Sequence, residues 1–318
     1  MTRSITFTEF GGIDRLQITE TARPQPDPGQ VRVRVRYAAL NPVDLTVLAH
    51  GQGFGVTPPS GLGGDFSGIV AEIGEEVTDF VPGDLVFGGA FTRSQTEDLV
   101  VDAGSLRRVP AGLGLDIAGG LNTAGNTAVA GIRAIAPQPG ETVYVSGATG
   151  GVGLLATQLA RLLGADVVGT ASERKHPLLR SLGIRPVAYG DGVEERIRAA
   201  APNGVQAAYS TQGDADLELI SRLGVPGGRV DAIASFGETP RRLGVHQDGS
   251  AAARPGDLDW LAQAIAYGHI VYPVARVFPL DEAADAYAFQ RDGHPTGKVL
   301  IRTTDDPLTD AERAGLLG

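Results

Sequence analysis

The sequence predicts an α/β protein that joins an antiparallel β domain to a doubly wound parallel sheet. Residues 1–110 hold short strands separated by turn signals, the mark of a barrel or sandwich. After about residue 140, apolar strands alternate with amphipathic helices, which implies a parallel sheet. A glycine cluster stands between the first strand and the first helix of that alternation. The chain has 318 residues, and at roughly 100–200 residues per domain it holds two.

In chain order, Gln30–Ala38 alternates strictly, with Val31, Val33 and Val35 on one face and Arg32, Arg34 and Arg36 on the other. That pattern predicts a half-buried antiparallel strand. Further strands are expected at Gly68–Ile73, Asp84–Phe87 and Asp98–Val101, set off by Asp27-Pro28-Gly29, Pro82-Gly83-Asp84 and Gly88-Gly89. Asp116–Ile135 reads as one Ala-rich helix, ended by Pro137-Gln138-Pro139-Gly140. Strand Thr142–Ser146, a glycine loop, helix Val152–Leu163 and strand Asp166–Ala171 form a βαβ unit, with Gly164 as the helix's C′ residue. Strands Pro186–Tyr189, Gln206–Ser210 and Gly228–Ser235 then alternate with helices Glu194–Ala200 and Asp216–Leu223. Helix Leu258–Tyr267, strand Ile270–Phe278, helix Asp281–Arg291 and strand Lys298–Arg302 follow, and the polar tail Thr303–Gly318 reads as peripheral.

Composition removes several chemistries. Apolar residues make up 42% and charged residues 20%, as in a globular chain. No apolar run approaches the ~20 residues of a membrane helix. MTRSITFTEF lacks the apolar stretch of a secretory signal. The expectation is a cytoplasmic protein off the membrane. A net charge of -10 argues against nucleic acid, whose phosphates need a basic stripe. The absence of cysteine excludes disulfides, thiolate nucleophiles and Cys-ligated metals. The five histidines make no HxxxH or HExxH spacing, so no metal site is expected. Of the 27 basic residues only Lys175 and Lys298 are lysine. Ala171 and His294 stand four positions before them, so a Tyr-x-x-x-Lys pair is impossible. Neither lysine completes a GxxxxGK[ST] phosphate loop, and no Gly-x-Ser-x-Gly elbow occurs.

The chemistry concentrates in Gly147-Ala148-Thr149-Gly150-Gly151-Val152-Gly153. With 45 glycines that spacing arises about once by chance, and a plain strand–helix turn has the same signature. Its place after a strand and before a helix is what points to a dinucleotide. Glycine permits φ > 0 and close approach of a pyrophosphate, and the helix N-terminus supplies N–H groups and partial positive charge. About 20 residues on, where an acid would hold the ribose of NAD, stands Ser172-Glu173-Arg174-Lys175. A hydroxyl with two cations suits the 2′-phosphate of NADP. Glu173 is also within reach of the ribose, and a solvated helix start would look the same.

Gly150-Gly151-Val152-Gly153 ahead of Gln158-Leu159-Ala160 resembles the zinc-independent quinone oxidoreductases, a zeta-crystallin-like family of the medium-chain dehydrogenase/reductase superfamily. The likeness extends over nearly the whole chain. Phe10-Gly11-Gly12 with Leu16, Ala39-Leu40-Asn41-Pro42-Val43-Asp44, Gly64-Asp65-Phe66-Ser67-Gly68 and Gly83-Asp84-Leu85-Val86-Phe87-Gly88 are similar to the family's barrel motifs. Thr127-Ala128, Gly227-Gly228-Arg229-Val230 and Gly297-Lys298-Val299 follow in the family's order. The resemblance implies a GroES-like β-barrel catalytic domain at 1–118 and 264–318, and a Rossmann NADP-binding domain at 119–263, with NADPH in the cleft. It implies hydride transfer to a quinone or to the alkene of an α,β-unsaturated carbonyl, in a zinc-independent homodimer.

Carried over by position, Thr149, Gly150, Gly151 and Val152 would meet the pyrophosphate. Ser172, Lys175 and Tyr189 would surround the 2′-phosphate. Ile233, Ala234, Ser235 and Phe236 would line the nicotinamide, with Thr127 near its carboxamide. Asn41 would face the substrate as a neutral donor to the developing oxyanion, although a turn before Pro42 also explains it. The proton donor stays open among a tyrosine, a ribose hydroxyl and water. Thr46 stands where the family often has an aromatic or basic residue, and Ser210-Thr211-Gln212-Gly213 replaces a common Asp-x-x-Gly. An enoyl-thioester reductase of a biosynthetic pathway and a non-catalytic NADPH-binding protein are the alternatives.

Overall fold

A computed structural model describes residues 1–304, so the tail beyond Thr304 lies outside the described residues. The chain opens with β1 (Thr2–Phe7), β2 (Gln17–Thr21), β3 (Gln30–Leu40), α1 (Pro42–His50), β4 (Ser60–Gly61), β5 (Asp65–Ile73), β6 (Leu85–Gly89), β7 (Asp98–Asp102), β8 (Leu106–Arg108), α2 (Leu115–Gly119) and α3 (Asn122–Ile135). It continues with β9 (Thr142–Val145), α4 (Gly151–Leu162), β10 (Asp166–Ala171), α5 (His176–Ser181), β11 (Arg185–Ala188), α6 (Val193–Ala200), β12 (Ala207–Ser210), α7 (Asp214–Arg222), β13 (Val230–Ala232) and α8 (Glu238–Leu243). The last elements are α9 (Asp257–Ala266), β14 (Val274–Pro279), α10 (Ala283–Asp292) and β15 (Lys298–Arg302).

Among the described residues, 1–123 and 258–304 form one unit, and Ala124–Asp257 forms the other. The sequence reading places these borders at 118/119 and 263/264; the structure sets them beside the starts of α3 and α9.

The first unit contains a three-stranded sheet of order β2-β1-β4 and a larger sheet of order β14-β15-β3-β5-β6-β8, with β7 also on β3. β3 is the organiser: it pairs antiparallel with β15, β5 and β7. Val31, Val33 and Val35 are fully buried, as the alternation requires, against Phe66, Val70, Leu99 and Val101. The opposite face departs from expectation toward its end. Arg32 pairs with Glu72 and Asp98 at 2.8 and 2.7 Å, but Arg36 is buried. There the strand is flanked on both edges by β15 and β5, and Thr303 bonds to its backbone.

Two further departures position the site. The expected continuous helix Asp116–Ile135 is split into α2 and α3 at Gly120-Leu121. The aliphatic stem of Lys298 packs on Gly120, where an added Cβ would lie 2.9 Å from its Cγ. The segment after Asn41 is no bare turn; it starts α1, with Pro42 in the first turn. Proline fits there because its missing N–H would have no helical partner.

The second unit is one parallel sheet of order β11-β10-β9-β12-β13. The chain works outward from β9 to one side, then returns to β12 on the other. β9 and β12 therefore flank the topological switch point, outside whose carboxyl ends ligands bind in open α/β sheets. Gly164 ends α4 with φ +87, as its place in the sequence predicts. The strand expected at Gly228–Ser235 stops at Ala232, leaving Ile233–Phe236 as a loop at the carboxyl edge. No helix among the described residues is long and apolar enough to cross a membrane.

Candidate active site and cofactor-binding loop

In the second unit the three loop glycines do three different things. Gly147 is the one with a left-handed backbone, φ +57. Gly153 lies so close under the loop that a Cβ would sit 2.3 Å from the Gly147 carbonyl oxygen. Gly150 is the N-cap of α4 in an extended conformation, φ -73, so it does not need the left-handed freedom of glycine. A Cβ there would meet only the Gly147 oxygen, at 3.4 Å. The open space above it is what a phosphate needs, and the N–H groups of the first turn of α4 have no intrahelical partner. Thr149 is buried beside it, while Gly151 and Val152 are half-buried.

The other cofactor candidates follow β10, β11 and β13 at the carboxyl ends of the sheet, except Thr127 on α3. Ser172 follows β10, and its buried Oγ has no protein partner among the described residues. Lys175 closes the next turn, half-buried. Burial, then the neighbouring Arg174, lowers its pKa, because both disfavour the charged form. Glu173 in the same turn is exposed. A hydroxyl, a carboxylate and two cations thus follow one another after this strand end. Tyr189 follows β11 and is 61% exposed. Beyond β13, Ser235 is buried and donates to Asp214, Ile233 bonds by its N–H to the Ser210 carbonyl, Ala234 is exposed and Phe236 is 78% exposed. Thr127 is buried on α3, its carbonyl accepting from the Tyr209 hydroxyl at 3.0 Å.

In the first unit Asn41 is buried as the N-cap of α1, its N–H donating to Asp44 Oδ2 at 2.8 Å. Its amide orientation follows from its neighbours. Lys298 Nζ only donates, so the atom 2.7 Å from it is Oδ1, which leaves Nδ2 to donate to Asp65 Oδ2 at 3.0 Å. Lys298 also donates to the Leu40 carbonyl at 3.1 Å and faces Asp65 Oδ2 at 3.4 Å. The other Asp65 oxygen accepts from the Thr123 N–H at 2.8 Å and from the Thr123 hydroxyl. Asp65 thereby caps the start of α3 from another strand. Burial is the main cause that raises Asp44 to about 7, with the Asp65 charge adding to it and bonds from Asn41 and Gly63 opposing.

Asn41 is thus committed on its oxygen and on one amide hydrogen. Asp44, Asp65 and Lys298 were visible only as family motifs; their convergence on Asn41 was not. The one usable signal was Lys298 itself, a lysine in an apolar strand of a chain that otherwise spends arginine.

Comparison with known proteins agrees with the two-unit organisation. The alcohol dehydrogenase GroES-like domain model matches residues 27–99, and the zinc-binding dehydrogenase model matches 182–301. Among the described residues there is no group of three or more His, Asp or Glu that could hold a metal ion, and the chain has no cysteine. The acryloyl-coenzyme A reductase of Metallosphaera sedula is 30% identical over 326 residues, covering 90% of this chain and 96% of that one. The spectinabilin polyketide synthase system protein NorB of Streptomyces orinoci is 32% identical over 309 residues, covering 92% of this chain. This chain spans only 14% of NorB's length and 8% of the pikromycin synthase component PikAII of Streptomyces venezuelae. Among solved structures, the quinone oxidoreductase from Coxiella burnetii superposes with a TM-score of 0.84 at 26% identity, over 95% of this chain and 99% of that one. The CurK enoyl reductase shares the fold at TM-score 0.84 and 24% identity, over 95% and 99%. The chain belongs to the medium-chain dehydrogenase/reductase superfamily, whose members work with a nicotinamide cofactor.

Proposed function

We propose that this chain is a zinc-independent, NADPH-dependent reductase that transfers hydride to the C=C of an α,β-unsaturated carbonyl. The observation that carries this is the end-to-end match with acryloyl-coenzyme A reductase, whose named substrate is an enoyl thioester. The polyketide synthase relatives, although far longer, support the same class of acceptor. A quinone is the second reading, favoured by the likeness to a quinone oxidoreductase.

Ser172, Arg174 and Lys175 favour NADPH, since two or three charge-assisted hydrogen bonds to a 2′-phosphate contribute about 1.5–3 kcal/mol each. The N–H groups at the start of α4 would hold the pyrophosphate, with Gly150 leaving room for it. The cofactor, when bound, supplies the hydride. Asn41 retains one amide hydrogen, a neutral donor for the oxygen on which negative charge develops. Lys298 on Oδ1 holds the amide so that its NH₂ end cannot swing away. The reading also carries a cytoplasmic homodimer, which sedimentation would test.

The experiment is NADPH oxidation by chelator-treated protein against an enoyl thioester, an alkenal and a quinone. Turnover of the enoyl thioester or the alkenal that survives chelation is expected. Activity lost on chelation and restored by zinc would overturn the zinc-free reading. Tight NADPH binding without turnover of any acceptor would leave a non-catalytic binding protein.

A further inference from the structure

We infer that Asp214 is a positioning residue for the loop Ile233–Phe236, which it latches to the start of α7 through the Ser235 and Thr239 hydroxyls. The inference rests on the reading of that loop as the wall along the nicotinamide, and adds to it the group that holds the wall in place.

Asp214 is the first residue of α7, where an acid is ordinarily explained by the helix dipole. Both of its oxygens are engaged by another segment. Oδ1 accepts from the hydroxyl of the buried Ser235, and Oδ2 accepts from the Thr239 hydroxyl at 2.9 Å. These two donors stand on either side of the turn Phe236-Gly237-Glu238 that leads into α8. One carboxylate therefore bridges both ends of the turn. When ionised it can only accept, so each hydroxyl gives it its single hydrogen. Those bonds hold the Asp214 carboxyl below the usual carboxylate range, Ser235 first and Thr239 second.

The loop has further ties within the same unit. The Ile233 N–H donates to the Ser210 carbonyl at 3.1 Å, at the end of β12. The Ser235 carbonyl accepts from Gln247 Nε2 at 2.6 Å, from the chain that follows α8. Gly213, the N-cap of α7, lies beside Ala234, whose carbonyl oxygen an added Cβ would meet at 3.9 Å. Ser235 is thus held by its side chain and by its carbonyl, while its neighbours Ala234 and Phe236 are exposed. The exposed pair depends on these ties for its position, and only the tie to Asp214 joins the loop and the start of α8 to one group.

The test is direct titration of the full chain with NADPH and with 2′-phospho-ADP-ribose, which carries every part of the cofactor except the nicotinamide, alongside urea unfolding. The variants are Asp214→Ala, Thr239→Val and the two combined. Glu194→Ala, which removes a carboxylate paired with Arg198 on α6 and Arg222 on α7, is the comparison. Asp214→Ala should weaken NADPH at least ~10-fold and Thr239→Val at least ~3-fold, with 2′-phospho-ADP-ribose within ~2-fold of the parent in both. The combined variant should lie within ~2-fold of Asp214→Ala, because one latch is broken once. Loss of a negative charge would by itself favour a polyanionic ligand, so a weakening reports the latch and not the charge. If Asp214→Ala does not fold, Thr239→Val, which leaves α7 intact, carries the test. The inference is overturned if these variants weaken both ligands equally, if they lose stability with NADPH affinity intact, or if Glu194→Ala weakens NADPH as much as they do. If neither ligand binds the parent, the cofactor reading itself fails. If both bind the parent and the variants hold NADPH as the parent does, only the latch is wrong.

Discussion

Lys298 Nζ lies 2.7 Å from Asn41 Oδ1, and through that contact a buried ammonium sets the Asn41 amide with its Nδ2 donating to Asp65 Oδ2. The same ammonium is the cation opposite Asp65, which has no exposed surface.

Lys298→Met keeps the aliphatic stem against Gly120 and removes the charge. Breaking one side of a buried pair costs about 3–5 kcal/mol, because the remaining carboxylate is left in a medium that solvates it poorly. Urea unfolding of Lys298→Met should show a loss of that size. A loss below ~1 kcal/mol would mean that the contact between Lys298 and Asp65 does not stabilise the fold as an ion pair.

Asp44 sets a pH dependence with a definite sign. Its carboxyl is raised to about 7 in the folded chain, while an unfolded Asp titrates near its ordinary value of about 4. Between these values the folded state binds the extra proton, so stability falls as pH rises through this window and levels off above about 7. Asp231, raised by burial to about 6, contributes the same sign over a narrower range. Glu141, held low by Arg229, acts oppositely but only at lower pH. Unfolding free energy of the parent should therefore decline from pH 5 to pH 7.5, and Asp44→Asn should flatten much of that decline. An unchanged slope in Asp44→Asn would assign the dependence elsewhere.

Lys175 with Ser172 predicts at least a ~10-fold preference for NADPH over NADH, and Lys175→Ala should bring it to within ~3-fold. Dissociation constants for both cofactors decide this. Equal constants in the unaltered chain would point to Glu173 and a ribose rather than a phosphate.

The parts of this structure legible in the sequence are those where one segment determines its own state. The alternation of Val31, Val33 and Val35 fixed β3, and the strand–glycine–helix pattern located α4 and β10 closely. β2 escaped because Gln17–Thr21 is almost wholly exposed, so no period-2 signal marks it. α1 escaped because Asn41-Pro42 is both a turn dipeptide and a helix start, and only packing of Val47 and Leu48 into the core separates them. The Asn41 network was illegible for another reason. Lys298 stands 257 positions from Asn41 and 233 from Asp65, and nothing local to any of them records the meeting.

The most direct test of the cofactor site is thermal melting of Gly150→Val with and without NADPH. Gly150 has an extended backbone and its added Cβ has room, so the variant without cofactor should melt within a few degrees of the parent, at an N-cap cost of about 1 kcal/mol. The side chain would occupy the space for phosphate oxygens, weakening NADPH at least ~100-fold, and the stabilisation that NADPH gives the parent should vanish. A variant that melts normally and is stabilised by NADPH as strongly as the parent would reduce the glycine loop to a strand–helix connection and place the cofactor elsewhere.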